Sequence, residues 1–399
     1  MNKKLGLAVA GALVAFSSAA NAGITIPAGD WTVDIGGNVN AYYTNTQTDV
    51  TSGTGVKYNA NDKNTIGTGL LPAAFGIGAK SRQNDLDVAF QFSFFTGTSA
   101  GGVGAAGGGN TLNIRQAYVT VGDASWGTLK AGRDLGIYGS DAILSDMTLL
   151  GVGVGGPAGG SSTLGRIGSG YMYADWKGQF SYASPNWNGF AFAAGVMEGF
   201  ANGQQDMGYE GKVTYDFAAN DVTGRVWASG ITQKTDTSTA ASIDGTSLIA
   251  ANAGTKYTSR GFDIGAKVSY QGATLVGYYY DGDGLDSNQS ALGTSGLFNA
   301  GGQKSKDSGG YVQATFVVPT IGTKLGASWG VSNTKAADGV AFDVENESWI
   351  IGAYHPLTKS LNLVAEYTSQ EIKNNAATTA VQARKAENDT ISLGAILFF

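Results

Sequence analysis

From Trp31 to the C-terminus, apolar and polar residues alternate again and again with a period of two. That is the pattern of strands whose two faces meet different surroundings. Trp31–Tyr43 sets Val33, Ile35, Val39 and Ala41 against Asp34, Asn38, Asn40 and Tyr42. Similar segments follow at Leu71–Lys80, Leu86–Phe95, Ile114–Val121 and Trp126–Gly132, then at Tyr171–Tyr182, Phe190–Val196, Tyr209–Phe217 and Val222–Ile231. The last seven are Phe262–Tyr270, Ala273–Tyr280, Tyr311–Val318, Leu325–Val331, Ser348–Tyr354, Leu361–Gln370 and Ile391–Phe399, which brings the predicted total to sixteen.

The connectors alternate in length. Tight ones are Ser81–Asp85, Gly122–Ser125, Pro185–Asn188, Ala218–Asp221, Gln271–Gly272, Pro319–Gly322 and Pro356–Ser360. Long polar ones include Asn45–Thr65, Thr96–Thr111, Lys234–Ser259, Asp281–Gly309 and Glu371–Asn388. An even number of strands of about ten residues, with short turns at one end and long loops at the other, is the pattern of outer-membrane barrels. The fold class expected is therefore all-β, a transmembrane antiparallel 16-stranded β-barrel.

Parity assigns the faces. Tyr209, Val213, Tyr215 and Phe217 oppose Glu210, Lys212, Thr214 and Asp216, while Phe262, Ile264, Ala266 and Val268 oppose Asp263, Lys267 and Ser269. Leu361, Leu363, Ala365 and Tyr367 likewise oppose Asn362 and Glu366. In a membrane barrel the apolar set meets lipid and the charged set faces inward, because a Lys or Arg at the lipid midplane costs roughly 2–4 kcal/mol. The inward set expected is Asp87, Lys130, Lys177, Glu210, Lys212, Asp216, Arg225, Asp263, Lys267 and Glu366. Aromatic residues near segment ends, such as Trp126, Trp187, Tyr354 and Phe398, suit interfacial girdles.

One excursion breaks the period. Between Gly132 and Tyr171, Ser140 can cap a short helix whose Ile143, Leu144, Met147 and Leu150 share a face, and a Gly-rich run follows. A long, partly apolar loop is uncommon and usually functional. This one carries Arg133, Asp134, Asp141, Asp146 and Arg166. It is expected to fold into the lumen as the third extracellular loop and narrow a water-filled pore with those charges.

Composition adds targeting and exclusions. Lys3 and Lys4, the apolar run Leu5–Phe16 and Ala20-Asn21-Ala22 read as a signal peptide over residues 1–22, leaving a barrel domain over residues 23–399 that begins at Gly23. Removing the two lysines leaves 23 Lys and Arg against 31 Asp and Glu, a net charge of −8. With no basic patch, a nucleic-acid partner is not expected. The absence of cysteine excludes disulfides and thiolate metal sites. The 62 glycines, 18 tyrosines and 17 phenylalanines suit many strands with flexible loops.

Specific motifs sharpen this. Arg115-Gln116-Ala117-Tyr118-Val119, Trp126-Gly127-Thr128-Leu129, Gly132-Arg133-Asp134-Leu135-Gly136, Ser145-Asp146-Met147 and Tyr182-Ala183-Ser184-Pro185-Asn186 resemble motifs of the Gram-negative general porins, trimeric outer-membrane diffusion channels. The resemblance implies that Arg133 belongs to a basic cluster on the wall and that Asp146 faces it from the loop. It also implies that Phe399 is read by the barrel-assembly machinery, and it suggests a subunit contact for Arg115. By parity with Ala117 and Val119 alone, Arg115 is equally a snorkelling interface arginine. Two departures thin the expected constriction: the loop reads Leu149-Leu150-Gly151 after its acidic motif, and Ala74 or Phe75 stands where the family carries a wall basic residue. Strict alternation from Leu129 points Arg133 outward, so an inward Arg133 requires a bulge near Gly132.

Other candidate chemistry is weak. Gly151-x-Gly153-x-x-Gly156 matches a dinucleotide fingerprint without its helix. Asp281-Gly282-Asp283-Gly284-Leu285-Asp286 lacks calcium-loop spacing, and the lone His355 sits in a turn. No nucleophile–base pair suggests an enzyme, and neither a cofactor nor a metal is expected. The expected function is passive diffusion of ions and small hydrophilic solutes through a homotrimer in lipid and lipopolysaccharide, with a weak cation preference. A substrate-selective channel using Tyr171, Tyr173, Tyr278 and Tyr280, or an adhesin built on the long loops, are the alternatives.

Overall fold

The computed structural model describes residues 23–97, 112–154, 165–199, 206–236, 242–244, 247–249, 256–285, 304–335, 343–376 and 383–399. The expected signal peptide lies outside the described residues. Sixteen strands form the wall: β1 Trp31–Ser52, β2 Ala73–Gln83, β3 Leu86–Thr96, β4 Asn113–Asp123, β5 Gly127–Leu135, β6 Trp176–Ala183, β7 Phe190–Met197 and β8 Gly208–Ala219. They continue as β9 Val222–Asp236, β10 Lys256–Tyr270, β11 Ala273–Asp283, β12 Lys306–Val317, β13 Lys324–Lys335, β14 Asp343–Pro356, β15 Leu361–Asn374 and β16 Ala383–Phe398. Each pairs antiparallel with its sequence neighbour, as in Lys212↔Ser229 and Asp263↔Tyr280.

β16 pairs back onto β1, from Asn38↔Phe398 upward, and closes the barrel. At the seam Gly37 and Phe399 exchange both backbone hydrogen bonds, at 2.9 and 3.1 Å. Below that point a short strand, Ile24–Ala28, covers the remainder of β1. Closure leaves no open edge, which lipid demands of a strand-built span. Among the described residues no helix is long and apolar enough to cross a membrane.

The short connectors follow from local chemistry. Asn84-Asp85 and Gln271-Gly272 both adopt positive φ, the geometry of the two-residue turn that matches strand twist. The faces follow from parity. Val213, Ile264 and Leu363 stand on the outer surface, Ile264 with 55% of its area exposed, while Glu210, Asp263 and Glu366 are buried on the inner one. Toward the long-loop end the outer face changes from aliphatic to aromatic, with Trp349 and Tyr367 rings 5.2 Å apart. Beyond them comes a charged rim, in which Lys373 meets Glu345 at 3.1 Å and Lys385 meets Glu387 at 2.8 Å.

Three elements differ from the alternation. β1 runs well past Tyr43 and β16 starts well before Ile391, and a further strand, Lys57–Gly67, pairs with β1 and overlaps the predicted connector Asn45–Thr65. These extensions are polar on both faces and are held by side-chain ladders such as Thr46–Thr390 at 2.9 Å and Thr48–Asn388 at 2.7 Å. Hydrophobic alternation is therefore blind to them. Tyr171–Asp175, read as strand, belongs to the excursion, because β6 starts at Trp176. The helix is shorter than expected: α1 spans Ser140–Ser145 with Gly139 at φ 71° as its N-cap, and Asp146 caps a separate 3-10 turn, Met147–Leu150, by accepting from Thr148 N at 3.0 Å.

Candidate pore constriction

A sheet wall has no spare backbone acceptors, so an irregular segment inside it must find side-chain partners for its own amides. The excursion between β5 and β6 does this strand by strand. Glu210 on β8 accepts from Ile137 N at 2.6 Å and Tyr138 N at 2.9 Å. Asp263 on β10 accepts from Gly139 N at 3.1 Å. Tyr311 on β12 donates to Ala142 O at 2.8 Å, and Gln313 receives Met147 N at 2.7 Å while donating to Ser145 O at 3.0 Å. Tyr42 on β1 donates to Leu150 O at 2.9 Å. Glu366 on β15 accepts from Val152 N at 2.9 Å and Gly153 N at 2.8 Å.

The segment thus crosses from β8 to β15 inside the wall, then returns. Gly170 N donates to Ser332 Oγ at 3.0 Å and Ser169 meets Ser348 at 2.9 Å. A Cβ at residue 151 would lie 2.0 Å from Glu366 Oε1, so a larger residue there would displace the carboxylate that holds the loop. Apolar packing completes the seat. Met147 and Val152 join Tyr42, Ile350, Tyr354 and Val364, while Ala142, Ile143 and Tyr171 join Trp227, Val276, Tyr278 and Tyr311.

Charges on the wall beside α1 are ordered in pairs. Asp141 meets Lys212 at 2.7 Å and Arg225 at 3.1 Å, and Arg225 also holds Asp216 at 2.6 Å. Burial would push the Asp141 carboxyl up, but the two cations outweigh it and hold it below the usual carboxylate range. Lys177 pairs with Glu210 and Lys130 with Asp134.

Known proteins give this architecture a family. A sequence model described as Gram-negative porin matches residues 8–375. The chain belongs to the Gram-negative porin family. Solved structures agree at the level of fold. The outer membrane channel DcaP of Acinetobacter baumannii is 14% identical with a TM-score of 0.66, over 95% of this chain and 100% of that one. Outer-membrane expressed OmpT of Vibrio cholerae is 17% identical with a TM-score of 0.60, over 94% and 100%. Salmonella typhi OmpF, solved with daunomycin, is 16% identical with a TM-score of 0.57, over 94% and 100%. None of the curated proteins matches the sequence. The protein is an outer-membrane channel with a closed sixteen-stranded wall.

In this porin the residues expected to form the constriction separate. Arg133 does not enter the lumen: pairing is continuous through Gly132↔Tyr118 and Ala131↔Phe180, so no bulge turns it. It is exposed on the outer face, in line with Leu129 and beside the outward Phe180. The bulge lies one strand earlier, between Ser93↔Gln116 and Phe94↔Ile114, and it turns Arg115 inward. Arg115 is 7% exposed, with its guanidinium 4.7 Å from the Phe95 ring centre and 5.7 Å from that of Trp176. An interface or snorkelling role for Arg115 is thereby overturned.

Arg166 is fully buried, donating to Ser169 O at 3.0 Å and Ser348 O at 3.2 Å, so it braces the returning loop rather than lining a passage. Asp134 and Asp146 are buried too, Asp146 accepting from Tyr171 OH at 2.7 Å. Tyr171, Tyr278 and Tyr280 are buried in the seat of the loop, which removes the line of tyrosines expected across the lumen. Asp87 sits at the short-turn end, paired with Arg82 at 2.9 Å.

Among the described inner-face charges beside the loop, Lys267 is exposed, and Lys212, Asp216, Arg225 and Lys324 are half-buried. Lys324 directly precedes the alternating segment Leu325–Val331. Extending parity back from Ser328 through Gly326 would have found it.

Proposed function

We propose that this porin passes ions and small hydrophilic solutes passively through the gap that its third loop leaves along β8–β13. One observation carries the reading: the loop is seated on one set of inward side chains, while a second set of inward charges beside it stays in contact with water. A lumen sealed by packing would bury both sets. The chain acts as a conduit and not as a catalyst. Trimeric assembly, cleavage before Gly23, lipid and lipopolysaccharide contacts and reading of Phe399 by the assembly machinery complete the proposal.

The test is reconstitution of the mature protein into a planar bilayer. Discrete ohmic steps are expected, together with a folded, heat-modifiable oligomer in outer-membrane fractions. A folded protein without conductance would overturn the reading. Cysteines report the faces separately: Lys212→Cys should react with a water-soluble thiol reagent in intact membranes and Val213→Cys should not.

A further inference from the structure

Where the loop meets the wall, every carboxylate already has partners. Asp141 holds Lys212 and Arg225, Asp216 holds Arg225, and Glu210 holds Lys177 and two amides. Asp263 accepts from Ser229 at 2.7 and 2.9 Å, from Gly139 N and from Tyr278. Glu366 accepts from two amides and from Tyr354 OH at 2.6 Å. The cations are not balanced in the same way.

Lys267, directly across from Arg225 in the β9–β10 register, is exposed on the inner face and makes no hydrogen bond or ion pair among the described residues. Lys324, the first residue of β13, likewise makes no hydrogen bond or ion pair among the described residues, and its ammonium lies 4.6 Å from the centre of the Tyr354 ring. Register links Lys267 through Val276 and Gln313 to Ser328, and Lys324 lies four residues along β13 on the same inner face. Asp146, on the loop, and Glu366, on β15, are both buried, and each already accepts two or more hydrogen bonds. Among the described residues beside the loop, solvent therefore meets Lys267 and Lys324 without carboxylate partners, next to the paired Lys212, Arg225 and Asp216.

We infer that Lys267 and Lys324, with the open edge of Arg225, form an anion-binding step in the passage, so that the channel prefers small anions. The inference rests on the channel reading and names the solute class of that same gap. An ammonium group with no carboxylate partner, set across from Arg225 on the same inner face, is stabilised by taking up an anion from solution. The overall charge of −8 does not oppose this. Charges beyond about 10 Å are screened at 0.1 M salt; of the nearer acids, Asp141, Asp216 and Glu210 are paired with cations, and Asp146, Asp263 and Glu366 are buried out of contact with the solvent.

An unpaired lysine about 4 Å from a permeating ion biases its occupancy roughly fivefold even at the dielectric of water. In a potassium chloride gradient the wild-type channel should reverse toward the chloride potential. Lys267→Gln and Lys324→Gln should each cut the chloride-to-potassium permeability ratio severalfold, and the double variant should bring it to one or below. Sodium phosphate added at constant ionic strength should reduce the wild-type chloride current and leave that of the double variant unaffected. Lys335→Gln, at the exposed rim beside Asp343, is the control and should change neither.

Each variant is scored only where its heat-modifiable band shows a folded barrel, and the single variants decide if the double does not fold. Wild-type channels of normal step size that reverse toward potassium would overturn the inference while leaving the channel reading intact. So would a double variant with unchanged reversal and unchanged phosphate block. Absence of steps altogether would strike the channel reading instead.

Discussion

Glu366 is the place to test whether the loop is held by the wall's carboxylates. Its two oxygens accept three hydrogen bonds, from Val152 N at 2.9 Å, Gly153 N at 2.8 Å and Tyr354 OH at 2.6 Å. Glu366→Ala removes all three and leaves two amides buried without an acceptor. A hydrogen bond to a charged group is worth about 1.5–3 kcal/mol, and the three are not additive because they share one carboxylate. Local opening also returns the freed amides to water. A net loss of about 3 kcal/mol for this stretch corresponds to about a hundredfold rise in the opened population, at 1.4 kcal/mol per factor of ten.

The barrel has no cysteine of its own, so one introduced thiol reports that population. Val152 is 0% exposed and keeps its backbone amide on substitution. Val152→Cys alone should react slowly with a water-soluble thiol reagent. In the Glu366→Ala background the same thiol should react about two orders of magnitude faster, while the strand ladder keeps the barrel folded. Glu366→Gln, which retains one acceptor oxygen, should fall between. Equal rates in all three backgrounds, with an exposed Ser125→Cys control reacting fully, would refute the tether.

Four further outcomes follow. Arg133→Ala should leave conductance and reversal potential unchanged in bilayer recordings, since the side chain stands on the outer face. Arg115→Ala removes a guanidinium stacked on Phe95 and Trp176, worth about 0.5–2 kcal/mol, and should lower the temperature at which the folded band is lost on heat-modifiability gels. Asp141→Asn should loosen α1 from Lys212 and Arg225 and raise open-channel noise in single-channel traces. Asp141 also sets an acid limit. Its carboxyl lies below the usual range in the folded state, so its contribution is complete above about pH 4 and is lost only as pH falls through the lowered value. Acid-induced noise should therefore begin below pH 4 and lose its step in the Asn variant.

What the sequence showed, and what it hid, follows from periodicity. Where one face meets apolar surroundings and the other water, as at Val213 and Lys212 or Ile264 and Asp263, alternation reports strand and facing together. It fails where both faces are polar, so Lys57–Gly67 and the upper half of β1 read as loop. It also fails at irregular backbone. A bulge is one extra residue, and parity counted through Arg115 turns it the wrong way, whereas parity counted without a bulge turns Arg133 correctly outward. The excursion between β5 and β6 is legible as a break in period with charges of both signs. Which charges would be consumed was not legible, because that depends on which strand each loop residue meets across the barrel.

That dependence has a physical direction. An irregular segment of chain inside a closed sheet brings amides that the sheet cannot satisfy, and a buried amide without an acceptor costs about 1–3 kcal/mol. The acceptors must be side chains on the inner wall, and carboxylates serve best because each can take two or three donors in a short, charge-assisted geometry. Glu210 and Glu366 each take a consecutive pair of loop amides, Ile137 with Tyr138 and Val152 with Gly153, at opposite ends of the crossing. Holding the loop therefore withdraws acidic residues from the water they would otherwise face. Lysines cannot take that role, since an ammonium group has no acceptor. The requirement that seats the loop thus takes carboxylates such as Glu210 and Glu366 out of contact with the solvent, while a lysine such as Lys267 stays in it.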